Sequence, residues 1–367
     1  MKSTQITPAQ TQHFWATVLD DFRDLALGHT QDNVVLAHDA HGRTWRFLLL
    51  FCKGDEQQRA DEWGLVHYNA GDECCTECLA DRTTRPFSDL QASAAWRSTT
   101  IGDLDTYLNR FRVPRHPLAS SPFVWRQFFI LDLMHIVDCK GVAATIFGGL
   151  MATLVTRNSL GRTVAIRMAT LQAFINNWYD SHPGLIKLPQ LTFANLWCDG
   201  WAALSGPAIK SAMTRQAVPM FAELAKAFCT SGSPQDELMK LITIKLDEFY
   251  TVLDAADLFL TPEQLAHFET VVQDLVTTLQ HLRALADAAG LLRWPVKPKA
   301  HKLCHMPLVA ASINPVKMTC YSDESHIGTL TKVWSKSIAG RYRPRAQANV
   351  LAKRWLSILL RLELGLD

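Results

Sequence analysis

The chain has 367 residues, of which 48% are hydrophobic and 20% charged, with a net charge of +2 at neutral pH. This balance excludes an intrinsically disordered segment and a uniformly basic nucleic-acid binder, so any contact with a polyanion must come from local placement of charge. The length admits one large domain or two ordinary ones. Residues 7–28 have helical spacing, with Phe14, Val18, Phe22 and Leu25 on one face. Two β-rich runs follow, 33–38 and 44–52, joined by Asp39-Ala40-His41-Gly42-Arg43 as a hairpin connection. A polar segment with Cys74, Cys75 and Cys78 leads into a loop-rich stretch punctuated by Pro86, Pro114, Pro117 and Pro122.

Residues 123–131 form a short apolar run ending at Asp132, the pattern of a buried strand with a carboxylate at its tip. The wider stretch 128–155 is the most apolar in the chain. It contains Asp132, His135, Asp138 and Lys140, each costly in lipid, so it predicts a buried strand and helix and no membrane span. Helical spacing returns at 142–156 and then at 163–179, 208–229, 236–253 and 261–289. Thr261-Pro262-Glu263-Gln264 supplies a cap, a first-turn proline and an acidic first turn, and Gly290 closes the last helix. Pro295, Pro298, Pro307 and Pro315 predict an irregular passage before a final basic helical region from about residue 324. The polar N-terminus lacks an apolar leader, and nine cysteines are an odd number without regular spacing. Both point to a reducing, intracellular setting in which clustered cysteines read as metal ligands or core residues.

Three constellations could carry chemistry. Asp132 at a strand end is poorly tolerated unless it binds a metal, caps a helix or pairs with a cation, and His135 shares its face if a helix begins there. Glu324 stands alone ahead of Lys332, Lys336, Arg341, Arg343 and Arg345. One carboxylate leading a basic run suits a cation held against a phosphate backbone, though such a run also fits a solvated helix face. Finally, Cys75-Thr76-Glu77-Cys78 and His301-Lys302-Leu303-Cys304-His305 each space two donors for one tetrahedral Zn2+, with Cys74 and Cys304 as further candidates.

In this order the motifs resemble the DDE transposases of the CACTA (En/Spm-like) kind. Leu131-Asp132-Leu133-Met134-His135-Ile136, followed by Gly141 and an apolar helix, is similar to their second catalytic aspartate segment. Asp323-Glu324-Ser325-His326-Ile327-Gly328-Thr329-Leu330-Thr331-Lys332 is similar to their catalytic glutamate segment. The family's C-x-x-C and H-x-x-x-H match Cys75/Cys78 and His301/His305. Further segments, His38-Asp39-Ala40-His41-Gly42-Arg43, Lys53-Gly54-Asp55, Ala94-Ala95-Trp96-Arg97 and Asn314-Pro315, resemble transposase-like proteins of dinoflagellate genomes.

The resemblance implies an α/β fold: an RNase H-like core with a large all-helical insertion between the second and third acidic residues. Residues 1–135 would form the first part of the core, 136–292 the insertion and 293–367 the closing segment. It implies two-metal phosphoryl transfer on DNA with Mg2+ (or Mn2+), Asp132 and Glu324 as ligands and His135 orienting Asp132. The first aspartate is left open between Asp55, which ends the better strand, and Asp39; the Gly-Asp context of Asp55 belongs to a segment that follows the family's first strand. No DNA-binding region precedes the core, as expected of a truncated, decayed or domesticated copy. Zn2+ at the Cys/His site, DNA as partner, a nuclear location and an assembly of identical chains complete the expectation. The alternative is a domesticated non-catalytic nucleic-acid-binding or scaffold protein that keeps the fold.

Overall fold

The structure, a computed structural model, describes residues 8–30, 33–35, 41–44, 46, 51–54, 56–61, 63–66, 72–110, 117 and 124–321. The chain divides after Thr319 into two units, of which the second, Cys320–Asp367, is described only at its first two residues. The expected basic helix with Glu324, Lys332, Lys336, Arg341, Arg343 and Arg345 therefore lies outside the described residues, as do Asp39 and Asp55.

The first unit opens with α1, Pro8–Leu27, as the spacing predicts. Strand β1, Cys52–Lys53, and helix α2, Glu56–Asp61, come next. A looped segment follows with one 3-10 turn, Ala95–Thr99, and leads to α3, Leu104–Leu108, capped by Asp103. Strand β2, Phe129–Ile130, pairs in parallel with β1, placing Cys52 opposite Phe129 and Lys53 opposite Ile130. A parallel pair needs a crossover, and residues 54–128 provide it. Half of the residues of the expected hairpin over 33–52 are outside the described residues.

Past β2 the chain makes a π turn, Met134–Asp138, closed by the Cys139 N–H donating to Met134 O at 2.8 Å. Helix α4, Val142–Leu154, begins immediately after, and all thirteen of its residues are buried. Two glycines allow neighbours to approach so closely. A Cβ on Gly141 would stand 2.1 Å from Ile136 O, and one on Gly148 would stand 2.2 Å from Ala203 Cα. Among the described helices, only Met134–Leu154 is long and apolar enough to cross a bilayer, and 89% of that window is buried inside the fold, the position of a core helix.

Helix α5, Val164–Ser181, is capped by Thr163. The hairpin β3, Trp197–Cys198, with β4, Trp201–Ala202, then interrupts the helical series. It turns on Asp199 and Gly200, whose φ values of +53° and +79° are those of a type I′ turn. The single helix expected over 208–229 is two, α6 Ser211–Gln216 and α7 Val218–Phe228. Pro219 lacks the N–H that a continuous helix would need, and it sits in the first turn of α7 where none is required. Among the described helices α8, Pro234–Ala255, and α9, Pro262–Ala288, are the longest; α9 starts at the expected Thr261 cap, and Gln264 completes it as a capping box.

The proline-marked passage is also helical. Pro298 and Pro307 open α10, Pro298–Leu303, and α11, Met306–Ala310, and a 3-10 turn runs over Pro315–Met318. The main core gathers α4, α5 and α7–α9 with Trp294 and the faces of α10 and α11. A smaller one packs Trp63, Tyr107 and Phe128 under the β1–β2 pair. A third, among the described residues, buries Cys74, Cys75, Cys78, Ala80, Ala94 and Trp96, with the partly buried Phe87 and Cys304 against it. Three thiols, two methyls and one indole bury little aliphatic surface, so residues 72–101 need another source of order.

Candidate metal centre

That source is visible where the looped segment meets α10. Cys75 and Cys78 flank a tight bend, and His301 and His305 lie four apart across the end of α10, on one side of the helix. One donor atom from each of the four lies within 4.8 Å of all the others, and all four residues are buried. Cys78 Sγ is 3.3 Å from His301 Nε2, and His301 Nε2 is 3.3 Å from His305 Nε2. A tetrahedron with ligand bonds of 2.0–2.3 Å has edges of about 3.3–3.8 Å, so these separations suit one small cation. The cluster could hold a metal such as zinc.

The protonation states match. Burial alone would raise the Cys75 thiol, but the hydrogen bond from Cys78 and the neighbouring His305 and His301 outweigh it and hold Cys75 well below its ordinary value. Cys78 is pushed up by that same hydrogen bond and by burial. Burial keeps His301 below its ordinary value, as the neutral imidazole that ligates metals. The Glu77 N–H points at Cys75 Sγ (3.3 Å) and the Ala80 N–H at Cys78 Sγ (3.4 Å), which stabilises sulfur carrying negative charge. His301 Nδ1 has no partner among the described residues, a cost that a ligand bond at Nε2 would offset.

The surroundings hold the donors in place. Trp96 packs on both imidazoles, with ring centroids 4.3 Å and 5.2 Å away, and donates its indole N–H to Asp89 O at 2.7 Å. The loop docks on α9: Gln273 Nε2 donates to Leu90 O, and Gln280 Oε1 accepts from the Leu90 N–H. Cys74 and Cys304, candidates by sequence, stand aside. Burial pushes their thiols up to about 11 and about 12, and they donate to Ala80 O and Ala300 O.

At the end of β2, Asp132 is buried and His135 partly exposed, adjacent as their spacing predicts. Asp132 Oδ1 accepts from the Met134 N–H at 3.1 Å, and Oδ2 meets His135 Nδ1. The carboxylate thus holds the first N–H of the π turn, a distortion frequent at functional sites. Residues that sequence reasoning passed over connect the regions. Arg59 is buried beneath the C-x-x-C bend, and the spacer Glu77 is buried between Arg59 and Arg126. Burial would raise Glu77; the two guanidinium groups overcome this and hold its carboxyl below the ordinary range. Helical charge at 56–61 gave no sign that Arg59 would turn inward. Comparison with family models, curated proteins and solved structures returns no match.

Proposed function

We propose that the chain is a transposase-derived DNA-processing domain whose core is stapled by Zn2+. One observation carries the reading. Two donor pairs 223 residues apart, each in the place the transposase resemblance assigns it, converge on one buried point. Four protein donors leave no open position, so the zinc would be structural and not catalytic. The chemistry would belong to the carboxylates, with Asp132 and Glu324 as ligands of Mg2+ or Mn2+ in an RNase H-like core. Cations held there would activate the attacking oxygen and stabilise the leaving one.

The parallel β1–β2 register supports Asp55 as the first acid. Lys53 stands opposite Ile130, and two residues beyond each the sequence carries Asp55 and Asp132. The contact of partly exposed His135 with buried Asp132 suits a histidine that fixes the orientation of a ligating carboxylate. DNA as partner and a nuclear location belong to the same proposal. The test is Mg2+- or Mn2+-dependent nicking of duplex DNA by the native chain, Asp132→Ala and Glu324→Ala. Nicking is expected from the native chain alone, and equal cleavage by all three would end the assignment.

A second reading is favoured by the same carboxylate. Both oxygens of Asp132 already have partners within the fold, as in a purely structural cap. A domesticated scaffold that keeps the fold and binds DNA without cleaving it would show retention of labelled duplex with no nicking at any divalent cation concentration.

A further inference from the structure

The residues between the two cysteine ligands face away from the histidines, towards Arg59 of α2. Its guanidinium is a two-edged contact. Nη1 donates to Ile130 O at 2.7 Å and, at 3.4 Å, to Phe129 O. Nη2 donates to Thr76 Oγ1 (3.2 Å), Glu77 Oε1 (3.1 Å) and the Tyr107 hydroxyl (3.3 Å). One planar group thus holds the last carbonyls of β2, two residues before Asp132, and both spacer residues of the C-x-x-C bend. Arg126 completes the arrangement, reaching Glu77 Oε2 at 2.6 Å and Ile101 O at 2.7 Å.

Burying two guanidinium groups and a carboxylate is costly, and apolar residues of similar volume would give equal or greater stability. What the fork supplies is geometry: a bidentate donor transmits orientation where a point charge would not. The bend can present Thr76 and Glu77 to Arg59 while Cys75 and Cys78 face His301 and His305. A cation held by all four donors would fix that alternation, and its loss would free the bend and, with it, the acceptors that orient Arg59.

We infer that Arg59 is a positioning residue that couples occupancy of the Cys/His centre to the order of the β2 end bearing Asp132. The consequence for DNA chemistry rests on the function proposed above, but the coupling itself does not.

The test is hydrogen–deuterium exchange on the full chain, with one equivalent of Zn2+ and after its removal by a chelator. The native chain should lose about tenfold in protection over 72–80 and 128–139 on zinc removal, while α8 and α9 stay protected. Arg59→Lys keeps the charge and loses the fork. It should still bind Zn2+, yet exchange over 128–139 at one fast rate with or without the metal. The inference is overturned if the native 128–139 segment ignores zinc, if α8 and α9 lose protection equally, or if the lysine variant responds as the native chain does. Should the lysine variant not fold, the native comparison alone decides. Coupling without DNA nicking would retire the nuclease reading and leave the inference standing; nicking without coupling would do the reverse.

Discussion

Removing the metal should destabilise the fold by an amount that can be worked from the connectivity. A cation shared by Cys78 and His301 joins positions 223 residues apart. Treated as a cross-link, it removes about 5 kcal/mol of conformational freedom from the unfolded chain. A unit ending at Thr319, at about 2.1 cal/mol/K of unfolding entropy per residue, should then lose roughly 7 °C in Tm. The intrinsic affinity of a thiolate–imidazole set adds to this, so the figure is a floor. The assay is thermal unfolding of purified chain before and after treatment with dipicolinate, alongside zinc content by plasma mass spectrometry. Cys78→Ser and His301→Ala should each abolish stoichiometric zinc and reproduce the shift, whereas Cys304→Ser should keep one equivalent. A Tm unchanged within about 2 °C on zinc removal, or zinc retained by both ligand variants, would refute the reasoning.

Other substitutions probe the frame around the centre. Gly148→Ala should cost about 3 kcal/mol or more in chemical denaturation, because the new Cβ meets the backbone of Ala203 and cannot be relieved by a side-chain rotation. Asn314, fully buried, donates to Leu253 O, Ala256 O and Asp257 O, so Asn314→Ala should cost about 3 kcal/mol by leaving the carbonyl end of α8 unpaired. Asp236 gives a pH test. Burial would raise it, but Arg157 and Ser231 overcome this and hold it below its ordinary value. A depressed carboxyl contributes stability that is complete above its unfolded value of about 3.9 and is lost as pH falls through the folded one. Asp236→Asn should therefore weaken the fold at neutral pH and flatten its acid limb in urea titrations below about pH 4.

Legibility followed the range over which each signal acts. C-x-x-C and H-x-x-x-H are local spacings, so each pair of donors could be recognised, while their meeting across 223 residues rests on tertiary packing. The long helices were readable because Thr163 and Thr261 mark their starts and their apolar faces repeat over several turns. The β3–β4 hairpin was missed although Asp199-Gly200 is a strong turn signal, because its strands are only two residues each and no alternation can build up. Prolines misled twice. Pro219 divides what periodicity joins, and Pro298 and Pro307 start helices in a passage that seemed irregular by composition alone. Arg59 was invisible because burial of a charge depends on partners that arrive from residues 76–77, 107 and 129–130.

The buried ionisable groups also argue for where function lies. The main core, from α4 to α9, is apolar almost throughout and could hold the fold by burial alone. Buried charge occurs there at separate sites such as Arg167, Asp236 and Arg293, whereas Arg59, Glu77, Asp132 and Lys302 are buried together where the C-x-x-C bend, the β1–β2 pair and α10 meet. Helix α10 faces both ways. His301 serves the metal cluster, its neighbour Lys302 pairs with Glu56 at the start of α2, and Lys299 donates to Cys139 O at the end of the π turn. Every one of these groups costs desolvation that an apolar residue would avoid. Departures from local stability rules that gather in one place are a mark of a working site. The junction between the Cys/His centre and the Asp132 strand is therefore where a conservative substitution such as Arg59→Lys, which keeps the charge and all four metal donors, should alter the order of the β2 end while Zn2+ stays bound.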